Sequence, residues 1–192
     1  MTPPLDGRPI VVALAGPNGA GKSTFYHAYL RPAGLRFINA DDVGRALRLG
    51  PYEAAEMANQ LRRTLVQQRE SFVFETVLSD PVGDKVRFMS DAARSGYTVV
   101  MCFVGLDRVA TSEQRVAMRV LQGGHDVPSD KLTPRFARTL ANLRRAVREL
   151  PFVIVYDNSD LHHPFRKVAE FRDGEMISST RPLPGWLNGA IR

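Results

Sequence analysis

The chain of 192 residues has one cysteine and one tryptophan, and aromatic residues make up only 8% of it. A single cysteine excludes an internal disulfide. Cys102 lies within the apolar run Val99 to Val104, where it reads as a small core residue rather than a nucleophile. No apolar run approaches the roughly 18 residues that a membrane-spanning helix needs. The N-terminal MTPPLDGRP also lacks a charged segment followed by an apolar one. These absences predict a cytoplasmic protein with no membrane contact. There is no internal repeat, low-complexity tract or linker, and the length suits a single domain over residues 1–192, with a core over about 8–160 and a C-terminal hairpin and tail over about 161–192.

The residue in excess is arginine. Lys and Arg number 26 against 20 Asp and Glu, a formal charge of +6, with clusters at Arg62-Arg63, Arg115 with Arg119, and Arg135 through Arg148. Such a balance suits nucleic acid or a polyanionic nucleotide, and arginine-rich helix faces are also commonly just solvated.

One stretch organises the rest. The apolar run Pro9 to Ala15 leads into Gly16, Pro17, Asn18, Gly19, Ala20, Gly21, Lys22, Ser23 and Thr24, in which Gly16 and the Gly21-Lys22-Ser23 triplet have P-loop spacing. Glycines allow a tight turn whose backbone N–H groups converge on one anion, and a helix starting at Lys22 adds its positive end to the same place. In that setting Lys22 reaches the β and γ phosphates and the Ser23 hydroxyl ligates Mg²⁺, so the expected cofactors are ATP, or GTP, with Mg²⁺.

Further along, short apolar runs alternate with helical patterns. Strands are expected at 8–15, 35–39, 71–74, 97–104 and 152–156, and helices at about 22–30, 43–49, 51–70, 84–95, 109–121 and 129–150. Residues 165–179 read as a β-hairpin around Asp173-Gly174, and the tail RPLPGWLNGAIR receives no assignment. The pattern predicts an α/β P-loop kinase fold: a mainly parallel five-stranded sheet flanked by helices, with a helical lid and a C-terminal hairpin.

Ligands of open α/β sheets bind beyond the carboxyl ends of the strands. Asp41, after the second strand, is a candidate general base for a hydroxyl attacking the γ-phosphate or a helix N-cap, with Asp42 favoured as the cap. Glu75 and Thr76 follow the third strand; Glu75 either orients substrate hydroxyls and a metal-bound water or caps the loop or helix beyond. The stretch Arg115 to Pro128 reads as a lid hinged at Gly123-Gly124, with Arg119 and Arg135 as phosphate clamps. His125 touches substrate or makes a structural hydrogen bond within that loop.

The segments AGPNGAGKST, FINADD, FVFETVLSD, RVAMRVLQGGHDVP with Arg135 and LANL, and VYDNS together resemble the zeta-toxin family of P-loop kinases, in particular its small bacterial branch labelled "predicted ABC-type ATPase". The resemblance runs collinearly over roughly residues 8–160. Zeta toxins phosphorylate the sugar 3′-hydroxyl of UDP-N-acetylglucosamine with ATP and Mg²⁺. The resemblance therefore implies Lys22 as the Walker lysine, Asp41 as base, Glu75 and Thr76 in the substrate pocket, Arg119 and Arg135 on the phosphates, and an antitoxin protein as partner. Neither an LSGGQ-like signature nor a hydrophobic run ending in Asp-Glu occurs, which excludes a transporter ATPase.

These residues suit two functions. One is a small-molecule kinase acting on a sugar or nucleotide sugar. The other is a nucleic-acid-binding P-loop protein or polynucleotide-end kinase, which is disfavoured because few aromatics interleave with the arginines to stack bases.

Overall fold

The computed structural model describes residues 6–121 and 129–191. Its centre is β1 (Ile10–Ala15), buried along its whole length. Six apolar residues without alternation fit a strand covered by helices on both faces. Strand β1 pairs in parallel with β3 (Phe72–Thr76) and β4 (Thr98–Gly105). Outside these, β2 (Arg36–Ile38) pairs with β3 and β5 (Phe152–Asp157) with β4, again in parallel.

The hairpin of β6 (Arg166–Arg172) and β7 (Glu175–Ser179) does not stand apart. It extends the sheet, giving seven strands in the order β2-β3-β1-β4-β5-β6-β7 rather than the expected five. Strand β5 would otherwise end the sheet with a row of unpaired N–H and C=O groups, and β6 satisfies them antiparallel, from Phe152 opposite Arg172 to Asp157 opposite Arg166.

Among the described residues seven α-helices flank this sheet: α1 (Lys22–Phe25, continued by a π-helical Tyr26–Leu30 and a 3-10 turn, Arg31–Ala33), α2 (Ala40–Leu47), α3 (Pro51–Gln67), α4 (Asp84–Arg94), α5 (Val109–Leu121), α6 (Ser129–Glu149) and α7 (Gly185–Ile191). One face carries Phe72, Phe74 and Phe103 under apolar residues of α3, α4, α6 and α7. The other carries Val12, Leu14, Cys102 and Ile154 against Phe25 and Tyr26. Within the tail, unassigned from sequence, Gly185–Ile191 form α7, whose Leu187 and Ala190 join the first of these cores. Helix α3 buries Ala54, Ala58, Arg62 and Leu65, a stripe spaced mostly by four, while Met57 is 40% exposed. Among the described residues no helix is long and apolar enough to cross a membrane.

Candidate active site

The P-loop leaves β1 at Gly16, whose φ of +146° suits glycine alone. A Cβ there would collide with the Val104 carbonyl, so the absence of a side chain lets the loop pass close over β4. The helix beginning at Lys22 leaves its first N–H groups without intrahelical acceptors. Two side chains hold the loop from outside. The Ser112 hydroxyl donates to the Asn18 carbonyl at 2.6 Å, and Asn158 Nδ2 donates to the Ala20 carbonyl at 2.9 Å.

Lys22 is 6% exposed. Its ammonium donates to the Gly16 and Pro17 carbonyls at 2.9 and 3.0 Å and lies 3.7 Å from Glu75 Oε1. Burial holds its pKa below the ordinary lysine value; Glu75 opposes that shift and Arg119 adds to it. Glu75 is inside β3 rather than in the loop after it, and it caps nothing: its other oxygen accepts from Asn39 Nδ2 at 2.9 Å. Downstream, the Asp80 carboxylate accepts the Asp84 N–H at the start of α4, whose N-cap is Gly83. The Thr76 hydroxyl accepts the Leu78 N–H at 3.0 Å, turning the chain out of β3.

Helix α2 starts three residues earlier than expected, at Ala40. The cap is therefore Asn39, whose side chain accepts the Asp41 N–H at 2.7 Å, and not Asp42, which pairs with Arg45 at 3.1 Å. Relieved of capping, Asp41 stands in the first turn of α2. It lines a cleft of about 750 Å³ together with Ser23, His27, Asn39, Asp42, Arg45 and Arg119. Ser23 and Thr24 are both exposed.

Of the two expected clamps, the structure brings Arg119 into the cleft, while Arg135 is half-buried on α6 and is not among the lining residues. Arg115, one turn before Arg119, instead donates to the Ser159 carbonyl at 3.2 Å and so ties α5 to the loop after β5. His125 and the Gly123-to-Pro128 lid lie outside the described residues. Asn39, His27 and Asn158 carried no assigned role in the sequence. Asn39 is legible afterwards as an Asn directly before Ala-Asp-Asp, a capping pattern, and His27 stands four residues after Ser23 on one helical face.

The family model described as "Zeta toxin" matches residues 34–166, a span that begins beyond the P-loop. An uncharacterized protein of Haemophilus influenzae is 28% identical over 126 residues, covering 63% of this chain and 88% of that protein. Among solved structures, AvrRxo1-ORF1 in complex with AvrRxo1-ORF2 and ATP superposes with a TM-score of 0.71 at 18% identity, over 91% of this chain and 61% of that one. This chain thus spans less than two thirds of that protein's length. The PezAT chromosomal toxin–antitoxin system of Streptococcus pneumoniae gives a TM-score of 0.57 at 14% identity, over 96% of this chain and 77% of that one. At these identities the two structures establish the fold, an α/β kinase-type sheet with a C-terminal antiparallel hairpin.

Proposed function

Because this chain belongs to the zeta-toxin family and is a P-loop kinase, we propose that it transfers the γ-phosphoryl group of ATP to a hydroxyl of a sugar or nucleotide sugar, with UDP-N-acetylglucosamine the first acceptor to try. The observation that carries this reading is the cleft in which Ser23, Asp41 and Arg119 stand together, next to a P-loop whose lysine is already desolvated.

Backbone N–H groups of residues 16–24 bind the phosphates, and Lys22 exchanges its two carbonyl partners for β- and γ-phosphate oxygens. The donors suit Mg²⁺: Ser23, Asp41 and Asp42 bring hard oxygens to the cleft. Among the described residues no group of three His, Cys, Asp or Glu forms a metal cage, and Mg²⁺ is typically held by one or two protein oxygens plus substrate phosphates. Ser23 would hold it, and when bound it neutralises charge on the β and γ oxygens. Asp41 accepts the proton of the attacking hydroxyl, its carboxylate left available by the Asn39 cap. Arg119 neutralises the transferring group from the α5 side, with Arg135 as the second phosphate clamp and His125 as a contact of the acceptor. Glu75 keeps Lys22 in position before ATP arrives and, with Thr76, borders the acceptor site. A small antitoxin protein is the proposed partner; both solved complexes named above pair a protein of this fold with a second chain. A cytoplasmic location, where ATP is supplied, is part of the same proposal.

Incubation with radiolabelled ATP and a panel of UDP-sugars, free sugars, nucleosides and oligonucleotides tests the reading. Label transferred to a sugar or nucleotide sugar is expected; label on oligonucleotide ends alone, or on no acceptor, overturns it.

A further inference from the structure

Away from the cleft, Arg62 is 4% exposed in the middle of α3, and no carboxylate stands three or four residues from it. Its guanidinium lies 4.9 Å from the Phe74 ring centre and 6.0 Å from that of Phe88, and one Nη donates to Asn59 Oδ1. None of the ion pairs among the described residues includes Arg62. A guanidinium has five N–H donors, so aromatic faces and one amide leave it short of acceptors, and a buried cation without a counter-charge is costly.

Arg62 lines a second cavity, of about 310 Å³, between α3 and α4, which shares no residue with the cleft. Three further cations, Arg63, Lys85 and Arg87, surround it. Glu56, Asp84 and Asp91 line it too, and close ion pairs take up Arg87 but not Arg62, Arg63 or Lys85. Asp84 pairs with Arg87 at 3.7 Å and Asp91 with Arg94 at 2.5 Å. Glu56 accepts from Asn59 and Gln60 and acts on Arg62 across space, with no direct hydrogen bond between them. The cations depress one another: burial first, then Arg63, lowers Arg62 to about 10, and burial first, then Arg62, lowers Lys85. Glu56 offsets part of the shift at Arg62, and Asp80, Asp84 and Glu56 part of that at Lys85, but among the described residues no carboxylate lies within ion-pair distance of either cation.

We propose that the cavity between α3 and α4 is a binding site for the phosphate group of a small metabolite, with Arg62 as its buried anchor and Lys85 as the ammonium at its shoulder. Phosphate is the oxyanion whose charge and number of acceptor oxygens answer a guanidinium and an ammonium together. The volume admits the group with a small organic portion, at the lower end of ligand pockets. The site is independent of the phosphoryl-transfer reading, and its test requires no turnover.

The protein saturated with a non-hydrolysable ATP analogue and Mg²⁺, so that the P-loop is filled, is titrated calorimetrically with inorganic phosphate at constant ionic strength. One saturable site is expected, weakened roughly tenfold or more in Arg62→Met, a variant of similar shape that keeps the packing on Phe74. Arg62→Lys should retain part of the affinity, and sodium acetate should bind much more weakly. Should Arg62→Met fail to fold, Lys85→Met reads the same loss from a half-buried position. No saturable heat in the wild type, unchanged affinity in the folded variants, or equal affinity for acetate overturns the proposal.

Discussion

Asn158 and Ala20 are 138 residues apart in sequence, yet the Asn158 amide donates to the Ala20 carbonyl at 2.9 Å and thereby joins the loop after β5 to the P-loop. The same side chain accepts the Phe165 N–H at 3.2 Å, and its backbone N–H donates to the Gly105 carbonyl at 3.0 Å. It is 4% exposed, so neither hydrogen bond is readily replaced by water. Pulling the Ala20 carbonyl outward leaves the loop's N–H groups for the nucleotide. Asn158→Asp, which can no longer donate to Ala20, should raise KM for ATP roughly tenfold while kcat changes by a smaller factor. Equal KM values in variant and wild type would deny the bracing role.

Asp41→Asn should lower phosphoryl transfer by about 10²- to 10⁴-fold, the range for losing a general base. Because Asn39 and not Asp41 caps α2, thermal stability and ATP affinity by calorimetry should stay near wild type. Transfer at the wild-type rate would remove Asp41 from the mechanism.

Lys22 carries a pH signature. Burial lowers its pKa from the ordinary 10.5, and only the ammonium serves the phosphates. ATP affinity should therefore decline with rising pH from below 10.5, and Lys22→Ala should both weaken ATP binding roughly tenfold or more and abolish that decline. Without nucleotide the sign reverses. Across the same window the unfolded chain holds more protons at this group than the folded one, so its contribution to stability increases as pH rises. Calorimetric titrations and thermal melts carried upward in pH to the ordinary lysine value of 10.5 separate the two trends; an affinity that is flat throughout in the wild type falsifies the assignment.

Cys102, 5% exposed within β4, has its thiol pushed up to about 12 by burial alone. At about pH 8 only about one molecule in 10⁴ would carry the thiolate. Ellman's reagent should react slowly with the native protein and at the free-thiol rate after denaturation. Fast native labelling would mean that this face of the sheet opens.

What could be read from the sequence tracks the range of the physics involved. β1 and the P-loop were legible because hydrophobic runs and glycine spacing act over a few residues, and α5 was expected at 109–121 as it is found. The α2 cap was missed because Asn39, Asp41 and Asp42 all have capping side chains, and only the exit direction of β2 selects Asn39. Strand order is a long-range property, so the hairpin's pairing with β5 carried no local mark. Arg62 breaks the rule that helix arginines face water, and its burial becomes apparent only when Phe74 and Phe88 arrive from β3 and α4. Proximity of Arg119 to Ser23 and Asp41 likewise required α5 to be laid beside the strand ends.

The chain's one tryptophan, Trp186, stands at the end of a relay. Its indole N–H donates to Asp157 Oδ1 at 3.2 Å, which also accepts the Ser159 hydroxyl, while the Ser159 carbonyl accepts from Arg115 beside Gly19. The indole ring packs on Gly105 so closely that any side chain there would collide with it. A fluorophore with no competing emitter of its kind is thus wired by hydrogen bonds to the rim of the P-loop, and its emission in the unmodified protein is expected to shift when ATP is added.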